Sequence, residues 1–121
     1  MIKLIPIVIL FFSSIFCFYE ISASYNSKLL IKAKNKNKYN DMIKYSNNIL
    51  SYRKNIDYYG NPIKSYLGLA YLKLDENELS YNYFKESLNI SPYNLRSTVY
   101  ALLLSSNFED IDIVKNKLEL L

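Results

Sequence analysis

This 121-residue chain is predicted to be all-α: an N-terminal hydrophobic helix followed by a run of helical hairpins. Three observations predict it. Residues 4–19 are a continuous apolar run, interrupted only by Pro6 and by Ser13 with Ser14. Beyond Tyr25 the apolar residues recur at helical spacing. Short breaks carrying Asn, Asp, Gly or Pro cut that periodicity into pieces of helix length.

The apolar run comes first. Lys3 precedes it and Glu20 follows it. As a helix it spans about 24 Å, a little short of a bilayer core of about 30 Å and long for a signal-peptide core. Two readings stay open. An uncleaved anchor would use residues 2–21, whereas a cleaved signal would be cut near Ala23 or Ser24, where small residues cluster. Ile21 or Ser22 would then fill the upstream position of the cut site, a poor fit, so the anchor is favoured. The chain is accordingly divided into residues 1–23, anchor or signal, and residues 24–121, a helical domain. Cys17 is the only cysteine, which excludes an internal disulfide and a thiolate metal site. Phe16 before it is too large for a lipid-attachment signal, and Cys17 reads as apolar filler.

Residues 22–27 hold no proline or glycine, so the first helix runs almost directly into a second, residues 25–36, with Leu29, Leu30 and Ala33 inward. Tyr39, Met42, Ile43, Ser46, Ile49 and Leu50 form the stripe of the next helix. Residues 58–62 (Tyr58, Tyr59, Gly60, Asn61, Pro62) make the clearest turn, with Asn61 placed to cap a helix starting at Pro62. After a polar break at residues 75–77, Asp75 and Glu78 suggest a capping box for the following helix, which Ser91 and Pro92 end. Residues 95–105 and 111–121 make a last pair about a turn at 107–110, with Asp110 as cap.

The unit at residues 61–94 is the most specific stretch. Leu67, Gly68 and Tyr71 share one helical face, and Leu79, Ser80, Tyr83, Phe84, Ser87 and Leu88 form a second run that Pro92 closes. Two tightly packed antiparallel helices need this mixture: a glycine for close backbone approach, small residues at the crossing and large apolar residues elsewhere. The unit resembles the tetratricopeptide repeat, a helix–turn–helix of about 34 residues. Leu67, Gly68, Tyr71, Phe84 and Pro92 match the family pattern, and Ser80 and Ser87 stand where it has alanine. Lys64 stands where it favours tryptophan, a mismatch. One repeat cannot bury its faces alone. A step of one period back takes Ser80 to Ser46 and Phe84 to Leu50; a step forward takes them to Val114 and Leu118. In the first repeat Lys34 replaces the glycine and Asn37 the tyrosine. The resemblance implies a right-handed α-solenoid of about three hairpins over residues 25–121, divergent at both ends.

Charge is uneven. Residues 28–44 hold six lysines against Asp41, while the part beyond Asn55 is mildly acidic. Lysines beside a span touch anionic headgroups, and their excess favours a cytoplasmic helical domain if the span is an anchor. A signal peptide predicts the opposite side. The charge lies at one end without a recognition motif, so no nucleic-acid partner is expected.

Catalysis is not expected either. There is no histidine, which removes the commonest general base and metal ligand. Only Gly60 and Gly68 are present, which excludes glycine-rich phosphate loops. Asp75, Glu76 and Glu78 read as a solvated turn. No catalytic residue, metal site or cofactor is assigned.

Binding remains. In the family that the unit resembles, the first helix of each repeat lines a groove. Carried over by position, that groove holds Ile31 and Asn35, then Ser65, Leu69 and Leu72, then Arg96, Val99, Tyr100 and Leu103. The positions where some members clamp a terminal carboxylate hold Ile31, Ser65, Tyr66 and Tyr100, with only Asn35 and Arg96 partly suited. The expected function is therefore a membrane-tethered or exported adaptor, scaffold or assembly factor that holds a peptide segment. The alternative is a structural accessory repeat domain of a membrane envelope-glycan assembly complex. Expected partners are a protein or peptide, the membrane, and a second copy through Leu118 and Leu121. The expected location is a membrane, by a single N-terminal anchor; a cleaved signal would make it periplasmic or extracellular.

Overall fold

The computed structural model describes residues 3–105 and Glu119. These residues form five helices and no strand: α1 (Leu4–Asn35), α2 (Tyr39–Ser51), α3 (Ile63–Lys73), α4 (Asn77–Ile90) and α5 (Leu95–Ser105). Each helix packs on its neighbours in the chain, and α3 also touches α5. The expected final helix, its Asp110 cap, the turn at 107–110 and the apolar end at Leu118 and Leu121 lie outside the described residues.

The two N-terminal helices expected from the sequence are a single helix. With nothing between residues 22 and 27 to break it, α1 runs unbroken through the expected domain boundary at residue 23. Pro6 is tolerated because it sits in the first turn, where a backbone N–H has no intrahelical acceptor anyway. The hydroxyls of Ser13 and Ser14 donate to the Leu10 carbonyl, so they cost the apolar run no free donor. Large side chains of residues 4–21 stand exposed around the helix. Packing on α2 begins at Tyr19, whose ring lies 5.8 Å from that of Tyr52, and continues through Ala23, Asn26, Leu30 and Ala33. Asn48 donates its side-chain amide to Asn26 Oδ1 at 3.0 Å. This helix is long and apolar enough to cross a membrane, a property that an anchor and a signal sequence share.

Three helices end alike. Asn37, Arg53 and Asp75 adopt left-handed φ of 55°, 59° and 61°. After each, the next residue's N–H returns to a carbonyl five residues back: Lys38 to Ala33, Lys54 to Ile49, Glu76 to Tyr71. This is the Schellman closure. Asp75, expected to cap α4, is thus committed to ending α3, and α4 starts after Glu76 without a side-chain cap. Asn61 does not cap α3 either; its amide turns back to the Asp57 carboxylate, and Pro62 occupies the cap position. A cap that the sequence reading passed over is Asn94, whose Oδ1 accepts from the Ser97 backbone N–H at 3.0 Å.

The core has two clusters. Leu30, Ala33, Met42, Ile49, Ile63, Tyr66 and Ala70 join α1, α2 and α3. Tyr81, Phe84, Leu88, Ala101 and Leu104 join α4 and α5, with Leu69, Leu72 and Tyr100 at the margin. Gly68 shows why the unit at 61–94 needs a glycine. A Cβ there would lie 2.9 Å from three ring atoms of Phe84. Ser80 donates to the Gly68 carbonyl at 2.7 Å, and the Ser87 and Ser97 hydroxyls bond each other. Leu67 and Ser87 are buried, Tyr71 stacks on Tyr83 with ring centroids 5.5 Å apart, and Pro92 follows α4. Leu79, counted in the apolar run of α4, is exposed, and Tyr81 takes the buried position instead.

Candidate functional site

The face shared by α1, α3 and α5 gathers charged groups about one tyrosine. Its foundation is the α2–α3 loop. Gly60, at φ 79°, lets the chain turn back so that Gly60 N–H reaches the Asp57 carbonyl and Asp57 N–H reaches the Asn61 carbonyl. Ile56 and Pro62 form an antiparallel bridge across the loop neck. The Asp57 carboxylate points inward and accepts from the backbone N–H groups of Tyr59 and Asn61, both at 2.8 Å, and from the Asn61 amide. Its remaining strong contact is the Tyr66 hydroxyl, which donates to Oδ2 at 2.6 Å.

Tyr66, one turn into α3, is buried, and two cations lie over its ring. Lys34 Nζ of α1 is 5.6 Å from the ring centroid, and the Arg96 guanidinium of α5 is 5.5 Å from it. Burial, reinforced by the hydrogen bond to Asp57, pushes the Tyr66 hydroxyl well above its ordinary pKa. Lys34, well beyond the exposed apolar run, has its pKa lowered, first by burial and then by Arg96. Arg96 Nη1 is buried with no hydrogen-bond partner among the described residues.

Around this centre the nine expected groove residues divide. Asn35, Val99 and Leu103 are exposed, while Ile31, Leu69, Leu72, Arg96 and Tyr100 are partly covered. Leu69 and Leu72 pack on the α4–α5 core, and Tyr100 stacks on Phe84 at 5.1 Å. Ser65 must be corrected. It is fully buried, and its hydroxyl donates to the Pro62 carbonyl at 2.7 Å, so it lines no open surface. Lys34 and Asp57 were missing from that expected set. The spacing from Asp57 to Gly60 is a turn signal. No local pattern, however, joins Asp57 to a tyrosine nine residues on.

Beside this face opens a cleft of about 840 Å³. Glu20, Ala23, Ser27, Lys28 and Ile31 of α1 form one wall; Lys54, Ile56, Asp57, Tyr58 and Tyr59 form the other. Lys54 pairs with Glu20 at 2.9 Å. Among the described residues no three His, Cys, Asp or Glu side chains stand together as metal ligands would.

Comparison with known proteins finds no matching family model, no matching curated protein and no matching solved structure.

Proposed function

We propose that this chain is a non-catalytic, membrane-tethered interaction module that holds a segment of a partner protein on the face shared by α1, α3 and α5. The observation that carries the reading is the convergence of Lys34, Tyr66 and Arg96, one from each of those helices, which sets two cations over one buried ring. An acidic side chain of the partner would accept from Arg96 beside Lys34, while its apolar residues lie along Ile31, Val99 and Leu103. A tetratricopeptide-like solenoid is supported by the chain-neighbour packing of the helices and by the Gly68–Phe84 contact. Anchoring, rather than export, is supported by the cut site that export would need. Ile21 or Ser22 would stand at its upstream position, where a small residue is needed.

Photo-crosslinking residues placed at the exposed Asn35 and Val99 of the full chain test this in cells. One discrete partner is expected at both positions. It should be lost when Lys34→Ala and Arg96→Ala are combined with helicity unchanged, and kept with Lys73→Ala. Adducts confined to subunits of an envelope-glycan assembly machine, indifferent to the charge changes, would assign the accessory-domain role instead. No discrete adduct from a folded chain overturns the binding reading.

A further inference from the structure

The α2–α3 loop carries an exposed feature that peptide holding does not use. Tyr58 is 93% exposed, Tyr59 78% and Ile56 49%. Slack chain would explain this, but the loop is built. The Asp57 carboxylate gathers two backbone N–H groups, the Asn61 amide and the Tyr66 hydroxyl, and the Ile56–Pro62 bridge closes the neck. Two aromatic rings are therefore held out into the surroundings on a rigid turn, with their ordering cost already met.

Their height along α1 is set by named contacts. Tyr19 meets Tyr52 and Glu20 pairs with Lys54, where the exposed apolar run of α1 ends, and the loop then faces α1 as far as Ile31. Residues 4–21 make about 27 Å of helix, close to the bilayer core. The next turn or so of α1, which the loop flanks, would then rise through the headgroup layer, about 5–7 Å deep on each side. Tyrosine is enriched at that level because its ring sits among the upper acyl chains and its hydroxyl among the headgroups. The charges fit the same place. Glu20 is neutralised by Lys54 and Asp57 is saturated by its donors, so no free carboxylate of the cleft faces the lipid. Lys28 stands at the cleft edge, with Lys32 exposed one turn on.

We propose that the α2–α3 loop is a second membrane contact. Ile56, Tyr58 and Tyr59 rest in the headgroup layer of the bilayer that α1 crosses, with Lys28 reaching its anionic phosphates and Lys32 above them, within range of the surface potential. This proposal rests on the anchor reading above and adds an orientation to it. A single helix leaves the attached domain free to tilt, whereas two contacts hold the Lys34–Tyr66–Arg96 face at a defined height and angle to the membrane.

The chain contains no tryptophan, so one introduced tryptophan is a clean reporter. The full chain is reconstituted into vesicles of zwitterionic and anionic phospholipid as Tyr58→Trp, as Phe11→Trp within the apolar run, and as Tyr93→Trp, an exposed position in the α4–α5 connection. The expected result for Tyr58→Trp is blue-shifted emission, quenching by lipids brominated high on the acyl chain, and acrylamide quenching several-fold weaker than for Tyr93→Trp. Phe11→Trp should be quenched by deep bromines. If Phe11→Trp is quenched but Tyr58→Trp stays as acrylamide-accessible as Tyr93→Trp, the loop contact is overturned and the anchor stands. If Tyr58→Trp is shielded from acrylamide but not quenched by bromines, a second copy covers the loop and the lipid assignment is overturned. If Phe11→Trp is not quenched, the anchor fails and the loop contact fails with it.

Discussion

Gly68 and the serines show how single atoms decide the packing. A methyl group at Gly68 would press on the buried Phe84 ring from 2.9 Å, and that ring has no free end to swing away. Alanine gains about 1 kcal/mol of helix propensity over glycine, whereas overpacking a core costs about 1–3 kcal/mol. The clash outweighs the gain, and Gly68→Ala should lower stability by up to about 2 kcal/mol, with Phe84→Leu in the same chain recovering part of it in chemical unfolding. Ser80 and Ser46 are both fully buried, and their environments differ. The Ser80 hydroxyl bonds the Gly68 carbonyl, whereas Ser46 Oγ is buried with no partner among the described residues. Ser80→Ala should therefore destabilise by about 0.5–1.5 kcal/mol, and Ser46→Ala should stabilise by about 1 kcal/mol. Two changes of the same sign in thermal unfolding would contradict the environments described. Tyr66 links packing to charge. Tyr66→Phe leaves Asp57 short of a donor and should cost about 1.5–3 kcal/mol. The Tyr66 pKa is raised in the folded state above its ordinary 10.0. The unfolded chain therefore loses this proton first, and the contribution of Tyr66, full below pH 10, falls as the pH rises through the folded-state pKa. Unfolding midpoints measured from pH 8 to 11 should fall more steeply for the wild type than for Tyr66→Phe.

At the scale of elements, helix ends explain where the sequence reading succeeded and failed. The stripes of α2 and α4 were legible because burial on one face imposes a 3.6-residue period on the residues themselves, whereas α3 is buried on most of its circumference. Ser91 and Pro92 marked the end of α4 for a similarly local reason, since proline cannot continue a helix. Asp75 was misplaced because the same polar residue suits a helix start or a left-handed helix end, and the three-residue connection from α3 to α4 leaves it only one of these roles. Asn61 was misplaced because its amide had a competitor, the Asp57 carboxylate, four residues earlier. Left-handed φ at Arg53 and Asp75 is a strain that glycine does not feel. Arg53→Gly and Asp75→Gly should each stabilise the fold by about 0.5–1 kcal/mol, read as a rise in the unfolding midpoint. A fall at either position would show that its side chain matters more than its backbone angle.

Across the whole molecule, α1 joins two environments in one rigid element. Its first half exposes apolar side chains on every side, and its second half packs on α2. Cleavage at Ala23 would sever that element and remove the Tyr19–Tyr52 and Glu20–Lys54 contacts. On the proposed anchor reading, membrane fractions washed with alkali should retain a protein that keeps residues 1–23; a soluble form starting near Ser24 would assign the segment to export. By itself, the sequence determined the helical class, the apolar N-terminal segment and the need for glycine at position 68. These follow from periodicity and from residue types that act on their nearest neighbours. Only the tertiary structure decided that α1 is continuous, that Ser65 is buried, and that Lys34, Asp57, Tyr66 and Arg96 meet. Their meeting depends on how three helices and a loop settle side by side, and packing at that range leaves no period in the chain to read.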